Sequence, residues 1–203
     1  MKFYDLAASP NTRRVRILMA EKGLDIPTVQ IDMMKGENKT PDFLAKNSLG
    51  VMPVLELDDG TCITESAAIC RYLDEIHPEP PLFGRDPVER AKVEMWHRRM
   101  ELEILIPVIQ VFVHSNDMWK GRRPQVPAFA DVMRAQVTER FDWLDKELEG
   151  RDYIATDHYT VADITAQSAI LMAKAVAGVR AQPEQKNLTA WWERVSSRPT
   201  ARA

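Results

Sequence analysis

Along the chain, the spacing of hydrophobic and polar positions changes character near residue 77. Before it, short apolar runs alternate with polar neighbours. Lys2 to Leu6 has a strand pattern, and Ala7 to Pro10 a turn. Val15, Ile17, Leu18 and Met19 recur at helical spacing through Glu21, and Gly23 stands near a C-cap position. Thr28 to Ile31 suits a second strand, giving a strand-helix-strand unit of the kind that pairs in parallel. Met33 to Thr40 is polar and reads as loop. Pro41, Phe43 and Leu44 predict a short helix, and Asn47 to Gly50 a turn. Val51 to Ser66 predicts a hairpin. Leu55 and Leu57 alternate with polar residues, and Asp59-Gly60 supplies the positive φ of a tight turn. Pro53 precedes the first strand, where it removes no central ladder bond. Ala67, Ala68, Ile69, Cys70, Tyr72 and Leu73 then form a helical run to His77. The order β-α-β-α-β-β-α predicts a small mixed sheet covered by helices.

Beyond His77 the pattern is helical only. Pro78, Pro80, Pro81 and Gly84 mark residues 78–86 as a linker. Asp86-Pro87-Val88-Glu89 has a capping residue, a proline at the first helical position and an acid behind it. The helix it opens runs toward Phe112, with Pro107 expected to kink or interrupt it. Phe129, Met133, Val137, Phe141, Leu144 and Leu148 lie on one helix face before Gly150. Thr160-Val161-Ala162-Asp163 is a second capping box, with Tyr159 and Ile164 placed as its hydrophobic staple. The helix that follows, to about Val179, is almost wholly apolar or small, which predicts a central, buried position. Leu188, Trp191, Trp192 and Val195 mark a terminal helix.

Composition narrows the possible functions. The 27 basic and 30 acidic residues give a net charge of −3, and no basic stripe points to nucleic acid. No apolar stretch is long enough to cross a membrane, and Met1 to Leu6 is not a signal core. Cys62 and Cys70 have the spacing of neither a redox pair nor a metal pair, and both are expected as buried free thiols. His77, His97, His114 and His158 form no ligand pattern, so no metal site is expected. A cytoplasmic setting follows as the default.

Four short pieces, in order and spacing, resemble the cytosolic glutathione transferases, of the bacterial sort nearest the theta, nu and beta-like classes. They are Ala8-Ser9-Pro10-Asn11-Thr12-Arg13-Arg14-Val15, Met52-Pro53-Val54-Leu55, Thr64-Glu65-Ser66 and Thr160-Val161-Ala162-Asp163. The resemblance spans the whole chain. It implies an α/β thioredoxin-like N-terminal domain over residues 1–77 and an all-α C-terminal domain over 87–203. It further implies a homodimer, a glutathione site on the first domain and a small apolar electrophile bound beside both. Glutathione is a co-substrate, and no separate cofactor is implied.

The chemistry required is a thiolate at neutral pH. A free cysteine thiol titrates near 8.5, roughly two units too high. In the theta-like pattern the serine matching Ser9 stabilises that thiolate, and in some bacterial relatives the residue matching Asn11 does so, with Thr12 able to share the work. Read without the resemblance, Ser9 and Asn11 are as well explained as helix caps. Met52-Pro53 matches the family's cis-proline step, whose Met52 backbone pairs with the cysteinyl unit of glutathione. Glu65 matches the residue taking the γ-glutamyl ammonium, and Ser66 the one taking its carboxylate at a helix start. Asn38 is the candidate for the glycyl carboxylate, with Lys35 or Lys39 as replacements. Trp96, Met100, Ile104, His114 and Trp119 are candidate electrophile contacts, facing Ala7 and Ala8. Tyr4 is expected to be strand packing, since it does not match the catalytic tyrosine of other classes. The absence of cysteine from Ser9 to Thr12 argues against disulfide-exchange chemistry. Two other functions remain open on the same site: glutathione-dependent reduction of peroxides or disulfides, and non-enzymatic glutathione binding or regulation.

Overall fold

The computed structural model describes residues 1–203. The chain divides into two compact units, Met1–Leu82 with Arg202–Ala203, and Phe83–Ala201. The first unit contains β1 (Lys2–Asp5), α1 (Pro10–Glu21), β2 (Thr28–Gln30), α2 (Pro41–Lys46), β3 (Val54–Glu56), β4 (Cys62–Thr64) and α3 (Ser66–Ile76). The sheet order is β2-β1-β3-β4. β1 pairs with β2 in parallel and with β3 antiparallel, placing Phe3 opposite Leu55 and Tyr4 opposite Val54. This is the mixed sheet that the sequence pattern predicts and the thioredoxin-like domain that the resemblance implies. The β3–β4 hairpin closes through residues 57–61, with Gly60 at φ 86° and the Asp59 carboxylate accepting from Thr61 N at 2.8 Å.

Period-two alternation sorts β1 and β3 between two faces. Phe3, Leu55, Ile17, Leu18, Ile69 and Leu73 are buried on the side of α1 and α3. Phe43, Met52 and Val54 form the core of the other side, with Tyr4, Leu6 and Ile31 packed on them. α1 packs against α3. At their C-terminal ends the covered Lys22 Nζ reaches Asp74 at 2.7 Å, the His77 carbonyl at 2.6 Å and the Pro80 carbonyl at 2.8 Å. A buried ammonium must be paired in this way, so Lys22 fixes where α3 ends.

The second unit is helical: α4 (Pro87–Met100), α5 (Ile106–Ser115), α6 (Pro127–Glu147), α7 (Val161–Met172) and α8 (Lys186–Ser196). Asp86 caps α4, accepting from Val88 N at 2.8 Å and Glu89 N at 2.9 Å. The interruption expected near Pro107 takes the form of a π-turn over Glu101–Leu105 that joins two helices. Pro107 has no N–H to donate to the preceding turn, and the wider turn accommodates that loss. Every residue from Val161 to Ile170 is buried, so α7 is the central helix of the unit.

Asp163 is the polar centre of this core. Its carboxylate accepts from Ile154 N (3.0 Å), Trp191 Nε1 (2.9 Å), Thr160 N (3.0 Å) and Thr160 Oγ1 (3.0 Å). Burial pushes its pKa up, and these donors oppose the shift. The group thus ties the start of α7 to α8 and to the loop before it. Asp163→Ala leaves these donors buried without an acceptor and should destabilise the helical unit by about 3–5 kcal/mol. The urea midpoint followed by tryptophan fluorescence checks this, and a loss below about 1 kcal/mol would contradict the role.

Candidate active site

The site is built first at the turn from β1 into α1. Ser9 N–H donates to the Leu6 carbonyl at 2.8 Å, closing the turn. Thr12 Oγ1 donates to the same carbonyl at 2.7 Å. Buried Asp5 accepts from Arg16 Nη1 and from Gln30 Nε2, each at 2.6 Å, while Arg16 Nη2 also holds the Ala7 carbonyl at 3.1 Å. These bonds lock the backbone that presents Ser9. Ser9 is the N-cap of α1, with extended φ/ψ, and its Oγ accepts from Asn11 N at 3.3 Å. Capping uses an oxygen lone pair and leaves the Ser9 hydroxyl proton free to donate. Asn11 Oδ1 accepts from Arg14 Nη2 at 2.9 Å, so the Asn11 N–H2 group is turned the other way. Thr12, expected to share the thiol work, does not: it is fully buried and its hydroxyl proton is committed to the backbone of the turn.

The second part is the loop from β3 to α3 with the segment before it. The Met52–Pro53 bond is cis. Met52 is buried, yet its backbone N–H and C=O make no hydrogen bond within the chain. Glu65, at φ 66°, is the one non-glycine residue with positive φ. Such backbone strain collects where a side chain must be aimed. Its exposed carboxylate has no partner in the chain. Ser66 opens α3, is 4 % exposed, and its Oγ accepts from Arg14 Nη2 at 2.6 Å.

Arg14 therefore joins the two parts. Its side chain is 3 % exposed, and one amino group of its fork donates both to Asn11 and to Ser66. The starts of α1 and α3, distant in sequence, are brought together through it. Sequence reasoning missed this residue. The available signal was its spacing: Arg14 stands three and four residues before the buried Ile17 and Leu18, on the inward face of α1.

Several candidates have other roles. Asn38, expected at the glycyl carboxylate, is 3 % exposed, and its Nδ2 donates to the Gly50 carbonyl at 2.7 Å. It braces the loop before Met52 instead of facing solvent. Gly50 is required there, at φ +63°, because a Cβ would lie 2.7 Å from the Asn38 carbonyl oxygen. Lys39 Nζ lies on the same loop, exposed, 3.3 Å from the Leu49 carbonyl. Trp96, Met100 and Ile104 are buried core residues of the helical unit, Trp96 stacking on Trp143, so they offer no surface to an electrophile. His114 and Trp119 are half-buried, packed edge-on against Phe129 and Phe112. Cys70 is buried and its thiol is pushed up to about 12 by burial, whereas Cys62 is only partly covered, contrary to expectation. Glu89, Asp157 and His158 approach within 4.8 Å, a grouping not seen in the sequence. Arg85 donates to both carboxylates, at 2.6 and 2.8 Å, and supplies their countercharge.

A mixed four-stranded sheet with its helices, followed by an all-helical unit, defines a known class of protein. Residues 3–81 match the model of the glutathione S-transferase N-terminal domain, and residues 110–199 that of the glutathione S-transferase C-terminal domain. The chain belongs to the glutathione S-transferase family. It is 37 % identical over 209 residues to glutathione S-transferase 2 of Saccharomyces cerevisiae, covering all of this chain and 88 % of the yeast protein. The crystal structure of yeast Gtt2 superposes with a TM-score of 0.92 at 37 % identity, covering 99 % of this chain and 98 % of that one. A glutathione S-transferase domain-containing protein from Marinobacter aquaeolei superposes with a TM-score of 0.93 at 36 % identity, covering 99 % and 100 %.

Tyr4 tests the boundary of the site. Its hydroxyl donates to Glu56 Oε2 at 2.5 Å, and Lys46 Nζ reaches the same carboxylate at 2.9 Å. Burial and the Glu56 bond both raise the phenol's pKa. A proton held in that way does not serve a thiol. Tyr4→Phe should keep kcat/KM within about twofold and cost about 1 kcal/mol of stability. Steady-state kinetics and a urea titration check both, and a large loss of kcat would place Tyr4 in the site.

Proposed function

We propose that this chain is a glutathione transferase that holds glutathione on its N-terminal unit, lowers the pKa of its thiol and joins the sulfur to an apolar electrophile. The observation that carries this is the Arg14-linked pair of helix starts, α1 and α3, whose side chains keep unused donors: the Ser9 O–H, the Asn11 N–H2 and the Ser66 O–H. Ser9 and Asn11 donate to the sulfur. Lowering a thiol from 8.5 by two units takes about 2.7 kcal/mol of preferential thiolate stabilisation. A hydrogen bond to a charged acceptor contributes about 1.5–3 kcal/mol and a helix N-terminus about 0.3–1 kcal/mol more. Two donors at the start of α1 are therefore sufficient, and no charged base is needed.

The other contacts follow from what each group has left to offer. Met52 pairs through its backbone with the cysteinyl unit, as one rung of an antiparallel ladder. Ser66 and the amides of the first turn of α3 take the γ-glutamyl carboxylate, and Glu65 takes the ammonium. With Asn38 committed to Gly50, Lys39 takes the glycyl carboxylate. Ala7 and Ala8, small and exposed, leave room beside the sulfur for the electrophile. The theta-like class assignment rests on Ser9. A homodimer is supported by the exposed apolar series Val88, Met95 and Leu102, spaced seven apart along α4 and the turn after it. A cytoplasmic setting fits a thiol co-substrate that must stay reduced.

Retention on immobilised glutathione and conjugation of a chlorinated nitrobenzene are the expected results. Turnover of an organic hydroperoxide or a mixed disulfide without conjugation would replace transfer by reduction, and retention without turnover would leave a binding protein. In the transferase, kcat/KM for the electrophile at saturating glutathione should rise with pH to a plateau whose midpoint is the bound thiol's pKa, well below 8.5. Ser9→Ala and Asn11→Ala should each move that midpoint up by about one unit, lowering kcat/KM about threefold at neutral pH and about tenfold on the acid limb. An unmoved midpoint in both variants would remove the thiol assignment.

A further inference from the structure

Arginine is a donor only, and this fixes the polarity of everything it binds. Asn11 has an amide that can face either way, and Ser66 a hydroxyl that can donate or accept. Against Arg14 each has one choice. Asn11 must show Oδ1, at 2.9 Å, and Ser66 must accept, at 2.6 Å. The leftover groups are then all donors: the Asn11 N–H2 and the Ser66 O–H. Neither of these donors has an acceptor within the chain. The charge carries a second signal. A guanidinium 3 % exposed at the positive ends of two helices adds a third positive source to the same place. That arrangement favours an anion bound above it.

We propose that Arg14 is the positioning residue of the glutathione site: its guanidinium sets the Asn11 amide to donate toward the thiol and the Ser66 hydroxyl to donate toward the γ-glutamyl carboxylate, and its charge attracts both anions. This deepens the glutathione-transferase assignment and rests on it. The coupling is specific to the fork geometry. A lysine at this position keeps the charge but not the single planar amino group that reaches both oxygens.

The test compares Arg14→Lys with wild type in the presence of glutathione. Ultraviolet absorbance of the thiolate gives the bound thiol's pKa, and kinetics give the two KM values separately. The expected result is a thiol pKa higher by about one unit, a KM for glutathione higher by about tenfold and a KM for the electrophile unchanged. In a Ser66→Ala background the effect of Arg14→Lys on the glutathione KM should shrink at least about threefold, because the two substitutions remove one shared interaction. Asn11→Asp is the second variant, for the case that Arg14→Lys does not fold. It keeps the oxygen that Arg14 needs and deletes the amide donor, so the thiol pKa should rise with the thermal midpoint preserved. An Arg14→Lys protein with wild-type thiol titration and KM overturns the proposal, as does full additivity with Ser66→Ala, or an unchanged thiol pKa in Asn11→Asp. Wild type that neither binds nor turns over glutathione would instead overturn the assignment beneath it.

Discussion

The N-terminal unit depends on how two buried cations hold one pair of helices. α1 and α3 are tied at one end by Arg14, through Asn11 and Ser66, and at the other by Lys22, through Asp74 and the carbonyls of His77 and Pro80. A cation taken out of water is tolerated only where oxygens are turned toward it. The two side chains therefore fix the relative position of the helices at both ends, alongside the apolar contacts between them. With both ends fixed, the first turns of α1 and α3 face one another across Arg14. The anion-attracting ends of two helices are thereby brought together.

The sheet fixes the remaining coordinate. β1 is central, parallel to β2 and antiparallel to β3, so the turn after β1 and the loop before β3 emerge where α1 begins. Asp5, Arg16, Gln30 and Thr12 then lock the turn that carries Ser9. Asn38 and Gly50 lock the loop that carries Met52. Much of the polar burial in this unit is thus support for a short list of presented groups. The helical unit uses the same device at Asp163, where one carboxylate gathers α7, α8 and the loop before them.

Local signals made the architecture legible in the sequence. The Asp59-Gly60 turn, the Asp86 and Thr160 caps, the apolar run of α7 and the order of strands and helices each depend on neighbours within a few residues. What could not be read depends on distant partners. Thr12 looked available until its hydroxyl met the Leu6 carbonyl, and Asn38 until its amide met Gly50. Trp96, Met100 and Ile104 have the residue types of an apolar pocket, but core and pocket use the same types, and burial assigns them to the core. Arg14 was hidden because an arginine among Arg13 and Arg16 resembles a solvated face, although its spacing from Ile17 and Leu18 puts it on the inward side of α1. Pro107 announced a break, and the form it took, a π-turn, depends on what packs around it.

On the proposed function, two helix starts joined through Arg14 hold one glutathione molecule. A crystal structure of the complex with glutathione tests it most directly. The γ-glutamyl carboxylate should lie on Ser66 and the first turn of α3, with the sulfur within about 3.5 Å of Ser9 Oγ or Asn11 Nδ2. A sulfur beyond reach of both side chains, or a tripeptide bound away from Ser66, would contradict it.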